Sequence, residues 1–179
     1  MKKTLLLLCF FIAIQQSYSQ EKIRKPFFTG NFNFTFALNE NYVLFDPDDG
    51  ESMLDFSAIF LRTGFGFQFD EKWEASINFG LDFHTRLEMQ AIPSYLNVQY
   101  NLFSDGDTSF FINSSYGSLW KPSSNFEKGT YYAVGIGLQK NRNEGSDFVL
   151  RLDVHRKKIT GFKNGNLDSI SLGIGFRLF

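Results

Sequence analysis

From Phe27 to the C-terminal Phe179 the chain divides into eight short segments in which every second residue is apolar. In the clearest, Trp73, Ala75, Ile77, Phe79, Leu81 and Phe83 alternate with Glu74, Ser76, Asn78, Gly80, Asp82 and His84. A period of two held over this length predicts a β-strand with one apolar and one polar face. The first strand sets Phe28, Phe32, Phe34, Phe36 and Leu38 against Thr29, Asn31, Asn33 and Thr35. The second sets Ile59, Leu61, Phe65, Phe67 and Phe69 against Arg62, Gly64, Gly66 and Gln68. The other apolar faces run Leu96, Val98, Tyr100, Leu102; Phe110, Ile112, Tyr116; Tyr132, Val134, Ile136, Leu138; Phe148, Leu150, Leu152, Val154; and Ile170, Leu172, Ile174, Phe176. Ser114 and Ser118 interrupt the fifth. Each segment is about long enough to cross hydrocarbon as a tilted strand.

The connections alternate in length. Asp70 to Lys72, Ser104 to Asp107 and Asn141 to Asp147 are short and polar, with turn chemistry at Asp105-Gly106 and Glu144-Gly145. Between them fall Asn39 to Asp55, Leu87 to Ala91, Leu119 to Lys128 and Lys158 to Leu167. Short turns on one side and longer loops on the other predict an eight-stranded, antiparallel, up-and-down barrel. In a bacterial outer membrane the short turns and both termini would be periplasmic.

Alternation does not say which face points outward, so a water-borne barrel around an apolar ligand is the competing architecture. The lysines discriminate. Lys22, Lys25, Lys72, Lys121, Lys128, Lys140, Lys157, Lys158 and Lys163 sit in the tail, turns, loops or strand ends rather than along a solvated barrel wall. The polar faces are built from Ser, Thr, Asn and Gln with Gly64, Gly66, Gly80, Gly117, Gly135, Gly137, Gly173 and Gly175, which predicts a cramped polar interior. Across the apolar faces the one charge is Arg156, near a strand end where a lipid-facing charge costs little. Aromatics gather at both ends. Phe27, Phe69, Trp73, Tyr100, Phe103, Phe110 and Phe148 are expected in one interfacial girdle, and Tyr116, Trp120, Tyr131 and Tyr132 in the other.

The first residues fit that address. Lys2 and Lys3 precede an apolar run from Thr4 to Ile14, and Ser17 and Ser19 supply the small residues before a cut, so residues 1–19 read as a secretory signal peptide and 20–179 as one barrel domain. A lipid anchor on Cys9 fits less well, because Phe10 to Ile14 continue the apolar run where a lipidated Cys ends it. Removing Cys9 leaves no cysteine, hence neither a disulfide framework nor a thiolate metal site. Removing Lys2 and Lys3 takes the 18 basic side chains to 16 against 19 acidic, a net charge near −3 that argues against nucleic acid as a partner. The 23 Phe and 15 Gly against 4 Pro suit strands.

Three stretches carry a resemblance: Ile92-Pro93-Ser94-Tyr95-Leu96-Asn97-Val98-Gln99-Tyr100, Tyr131 to Leu138 with Gly135-x-Gly137, and the terminal Ser171-Leu172-Gly173-Ile174-Gly175-Phe176-Arg177-Leu178-Phe179. Through them the chain after residue 19 resembles the eight-stranded outer-membrane β-barrel family, the OmpA-barrel, OmpX and OmpW-like group. The last stretch resembles the C-terminal signal read by the barrel-assembly machinery, with terminal Phe179 out of the usual every-second-residue register. The resemblance implies fold and location more than activity, since members of the family differ in function.

The polar faces assign Arg62, Glu74, Asp82, Arg86, Arg151, Asp153, Lys157 and Arg177 to the lumen. Pairing through the Asp70 to Lys72 turn sets Gln68 opposite Glu74 and Arg62 opposite Gly80, diagonal to Asp82. In the last hairpin the expected pairing sets Gly173 and Gly175 opposite Asp153 and Arg151. Large residues facing Gly predict a lumen filled by an ion-pair network, with a narrow gated pore as the rival. His84 and His155 raise lipid A modification, but the deacylase arrangement needs a Ser two residues from the His, and that slot holds Lys157. The two histidines fall on strands roughly opposite each other, which disfavours a metal pair. The loop with Glu40, Asp46, Asp48, Asp49, Glu51 and Asp55 departs from a calcium loop at Gly50 and Glu51. It is expected to meet Lys158 and Lys163 of the last loop as an acidic and basic cap. The sequence thus assigns no catalytic, cofactor-binding or metal-binding residue and no cofactor. It predicts a monomeric outer-membrane barrel with a structural or surface-interaction role, in contact with membrane lipid, lipopolysaccharide and the assembly machinery.

Overall fold

A computed structural model of the chain describes residues 25–38, 54–85, 89–105, 107–120, 128–143, 145–159 and 166–179. Eight strands run in chain order: β1 (Lys25–Leu38), β2 (Leu54–Gln68), β3 (Trp73–His84), β4 (Met89–Asp105), β5 (Thr108–Trp120), β6 (Lys128–Asn143), β7 (Ser146–Ile159) and β8 (Asn166–Leu178). Each pairs antiparallel with its chain neighbours, and β1 pairs with β8 from Phe28↔Leu178 to Ala37↔Ser169, closing the barrel. Closure leaves no free sheet edge, the condition for placing a sheet in lipid.

The two faces are distributed as a bilayer requires. Phe65, Ile77, Phe79, Leu96, Val134, Leu152 and Ile174 are exposed on the outer wall. Asn33, Arg62, Glu74, Asn78, Asp82, Asn97, Gln99, Asn113 and Asp153 are buried inside. The fold is therefore that of a transmembrane barrel, apolar outside and polar within. Ser114 and Ser118 point outward with the apolar residues of β5.

The three short connections lie at the same end as Lys25 and Phe179, and local chemistry is visible in two of them. Asp70 Oδ1 accepts the backbone N–H groups of Lys72 (2.8 Å) and Trp73 (2.7 Å), folding the turn on itself. Asn101 of β4 fastens that turn from the side, its Nδ2 donating to Glu71 O (2.9 Å) and its backbone N–H to Lys72 O (2.8 Å). Between β6 and β7, Gly145 takes a φ of 102°, which side chains resist, while Glu144 of the expected Glu-Gly turn lies outside the described residues. The strands reach further than their apolar runs. Pairing extends through Asn143↔Ser146 at this turn, and Met89 and Gln90 already pair with His84 and Phe83, where a loop up to Ala91 was expected.

The register agrees with expectation for β2 and β3, with Gln68↔Glu74 and Arg62↔Gly80. It differs for β7 and β8. Arg151 faces Gly173, Val149 faces Gly175 and Asp153 faces Ser171, a shift of two residues from the expected pairing. A shift of two keeps every side chain on its face, so alternation cannot detect it. Room for the long side chains comes also from β6, where Gly135 and Gly137 pair with Asp153 and Arg151.

The aromatic girdles are present with two corrections. Trp73 lies against Tyr100 (centroids 4.7 Å), Phe103 stacks on Phe110 (5.2 Å), and at the other end Tyr116 meets Tyr132 (5.1 Å), with Phe69, Trp73, Phe103, Tyr116, Trp120 and Phe148 exposed. Phe27 and Tyr131 are instead buried inside. Successive strand residues point to opposite faces, so in Phe27-Phe28 and Tyr131-Tyr132 one ring of each pair must enter the lumen.

Candidate functional site

The lumen holds most of the buried polar groups and is filled in three tiers. At the end away from the termini, Asp82 of β3 is the shared anion. Arg62 of β2 pairs with it through Nη1, and Lys157 of β7 reaches across the barrel to set Nζ 2.5 Å from Asp82 Oδ2 and 2.8 Å from His84 Nε2. An ammonium group can only donate, so His84 Nε2 is the acceptor and its proton resides on Nδ1. Beneath them lies Phe60, with Lys157 Nζ 3.9 Å and Arg62 Cζ 4.6 Å from its centroid and the rings of His84 and His155 each at 5.5 Å. The two histidines thus share one aromatic wall and Lys157 crosses the space between their strands. Among the described residues no three His, Cys, Asp or Glu side chains come together as a metal site.

In the middle tier Arg151 donates twice to Asp153 on its own strand (3.1 and 3.0 Å). Asn113 adds a bond to Asp153 (3.0 Å), and Ser115 donates to Asn97 (2.9 Å). Nearest the termini, Arg177 bonds Asp147 through Nε (2.9 Å) and Nη2 (2.6 Å) and pairs with Glu74. Gln139 donates to Asp147 (2.8 Å), and Gln99 to Gln139 (3.2 Å) and Asn101 (3.1 Å). The Arg177 guanidinium lies 5.1 Å from the ring centroid of Phe27 and 4.6 Å from that of Phe179, so the out-of-register terminal ring is used to cover this ion pair.

Glycine placement explains how so many long side chains fit. A Cβ at Gly80 would strike Arg62, at Gly135 Asp153, at Gly64 Asn78, and at Gly137 the Phe111 ring. The expected filled lumen is therefore built, and the expected Arg62–Asp82 pair is formed. Buried charges persist only when compensated in this way. Polar cavities among the described residues interrupt the packing, among them one of about 30 Å³ bordered by Glu74, Asn78, Gln99 and Arg177 and another of about 10 Å³ beside Arg62, Tyr95, Arg151 and Asp153.

Asp147 was expected in a turn and is instead a buried partner of Arg177, because the ladder continues to Asn143↔Ser146. Phe60, Phe111, Tyr95 and Tyr131 line the lumen although its face was expected to hold only small and polar groups. For three of them the signal was the Gly opposite, Gly137 for Phe111 and Gly117 for Tyr95 and Tyr131, whereas Phe60 faces Asn33 and Asp82 and gave no such signal. Arg86, the residues of the first loop from Glu40 to Glu51, Lys163 and residues 1–19 lie outside the described residues.

His155 brings together a pair the sequence did not reveal. Its Nε2 lies 2.5 Å from Ser171 Oγ and its Nδ1 2.8 Å from Tyr131 OH. The serine comes from the neighbouring strand rather than two residues along. It is fully buried inside the barrel, while a lipid substrate would approach from outside. On the outer wall Arg156 is neutralised by Asp168 directly across the ladder, with two bonds of 2.8 and 2.6 Å, so that face carries Asp168 as well as the single charge expected, and exposed Lys158 lies over Tyr132 nearby.

No family model and no curated protein matches the chain. Solved structures do. Neisserial surface protein A superimposes with a TM-score of 0.66 at 10% identity, covering 87% of this chain and 97% of its own. The N-terminal β-barrel domain of Pseudomonas aeruginosa OprF gives 0.58 at 13% identity over 89% and 100%. The outer-membrane protein AlkL, solved by solid-state NMR in DMPC bilayers, gives 0.50 at 13% identity over 89% and 92%. At such identities the likeness is one of fold, and that fold is the eight-stranded outer-membrane barrel.

Proposed function

We propose that the protein is a monomeric outer-membrane barrel of structural or surface-interaction role, closed to solutes by its own side chains, with both termini in the periplasm and residues 1–19 removed on export. The observation that carries this reading is the lumen itself, crossed by Lys157–Asp82–Arg62 at one end and Glu74–Arg177–Asp147 at the other. The outward apolar wall supports the location, and the aromatic girdles give it two interfaces. On this reading the four longer connections face the exterior and carry the interaction. Lipid, lipopolysaccharide and the assembly machinery are its partners in the membrane. On this reading it is no enzyme: among the described residues the His155–Ser171 pair faces inward, away from lipid.

A narrow gated pore is the second reading, favoured by the polar cavities inside the barrel. Planar-bilayer recording of the purified protein separates the two: a closed structural barrel gives no steady current, whereas a pore gives discrete openings. Deleting residues 46–51 tests the interaction role, which predicts that cells bearing the deleted form lose surface binding while the barrel still assembles.

A further inference from the structure

The smaller lumen cavity, about 10 Å³, lies among Arg62, Arg151, Asp153, His155, Tyr95, Tyr131 and Asn33, so its wall carries two guanidinium groups and one carboxylate. Arg62 commits Nη1 to Asp82, but its Nη2 is buried and has no hydrogen-bond partner among the described residues. A guanidinium offers donors only, and a buried charged donor left unpaired is costly. Two of the other lining groups are fully engaged. Both Asp153 oxygens accept from Arg151, one also from Asn113, and both His155 nitrogens are taken by Tyr131 and Ser171.

The charges around this cavity do not balance. Arg62, Lys157 and Arg151 stand against Asp82 and Asp153, an excess of one positive charge within a wall of apolar strands. The tier nearest the termini has the opposite excess, with Glu74 and Asp147 against Arg177. A low-dielectric surround makes an uncompensated buried charge expensive.

We propose that this cavity binds one small monovalent anion of the halide class, held by the free N–H of Arg62 Nη2 and by the net positive field of Arg62, Arg151 and Lys157. The volume accommodates a single particle of about water size, which excludes phosphate, sulfate and carboxylates. Water is the competing occupant. It would accept the Arg62 hydrogen bond but leave the extra charge uncompensated.

The test uses the folded barrel in detergent. Crystals grown in bromide should show an anomalous difference peak within hydrogen-bond reach of Arg62 Nη2. In solution, chloride should raise the unfolding temperature over gluconate at equal ionic strength, in a saturable manner and by about 2–4 °C. Arg62→Gln, which removes the free donor and its charge while Lys157 still pairs with Asp82, should abolish both effects while the heat-shifted gel mobility of a folded barrel persists. A water-only map without anomalous signal, identical melting in the two salts, or a chloride effect that survives in a folded Arg62→Gln barrel would each overturn the proposal. Should Arg62→Gln not fold, the bromide map of the unmodified protein decides alone.

Discussion

At the scale of single side chains, Asp82 is the common counter-ion of two cations that water does not reach, and removing it differs in kind from removing either cation. Asp82→Asn leaves Arg62 and Lys157 facing each other in a dry lumen, and should cost about 3–5 kcal/mol, the range for breaking a buried pair. Arg62→Ala leaves Asp82 with Lys157 and should cost less, yet more than Lys72→Ala. Lys72 is exposed in the Asp70 turn and its loss should stay within about 0.5 kcal/mol. Urea unfolding of the three variants in one detergent gives the order, and equal midpoints for Asp82→Asn and Lys72→Ala would remove the network's structural role. Arg62–Asp82 was legible in the sequence because a three-residue turn fixes the β2–β3 register. Lys157 was assigned to the lumen, but its reach to Asp82 and His84 was not legible. That contact spans strands four apart and exists only once the barrel has closed around Phe60.

At the scale of strands, the outer wall should respond to charge by depth. Val134 is mid-strand and exposed, paired with Ser114 and Val154, whereas Trp120 stands at the strand end. Val134→Arg should destabilise the barrel by about 2–4 kcal/mol and Trp120→Arg by roughly 0–1 kcal/mol. Folding titrations into lipid vesicles measure the difference, and equal costs would contradict a hydrocarbon-facing wall. In the β6–β7 hairpin Gly145→Ala should cost about 1–2 kcal/mol although nothing lies within 4 Å of the added carbon, because the strain is in the backbone at φ 102°. The same hairpins show where pattern reading stops. Alternation placed all eight strands and both faces, but a two-residue slide is invisible to it, so the β7–β8 partners came out displaced. The ends were also drawn short. Pairing continues through polar residues such as Asn141 and Ser146 once the apolar run has ended, and this took Asp147 from a presumed turn into the lumen.

At the scale of the whole molecule, the three lumen tiers stand in series along one axis, so a solute would have to pass Asp82, Asp153 and Asp147 with their partners in turn. Two aromatic contacts reinforce the ends, Phe60 beneath Lys157 and Phe27 against Arg177. Series blockage has a consequence that a single gate does not. If the tiers are structural filling, Arg62→Ala loosens one tier and lowers the unfolding midpoint, but the Arg177 tier still closes the other end and bilayers stay silent. Opening a path should then require lesions in all three tiers, Arg62→Ala, Arg151→Ala and Arg177→Ala together, and the current should exceed the sum of the three single variants. A single gate predicts the reverse pattern, in which Arg62→Ala alone yields steady single-channel current at unchanged thermal stability and Arg177→Ala adds nothing. Recording the three single variants and the triple variant in planar bilayers, beside their melting curves, decides between a filled barrel and a pore.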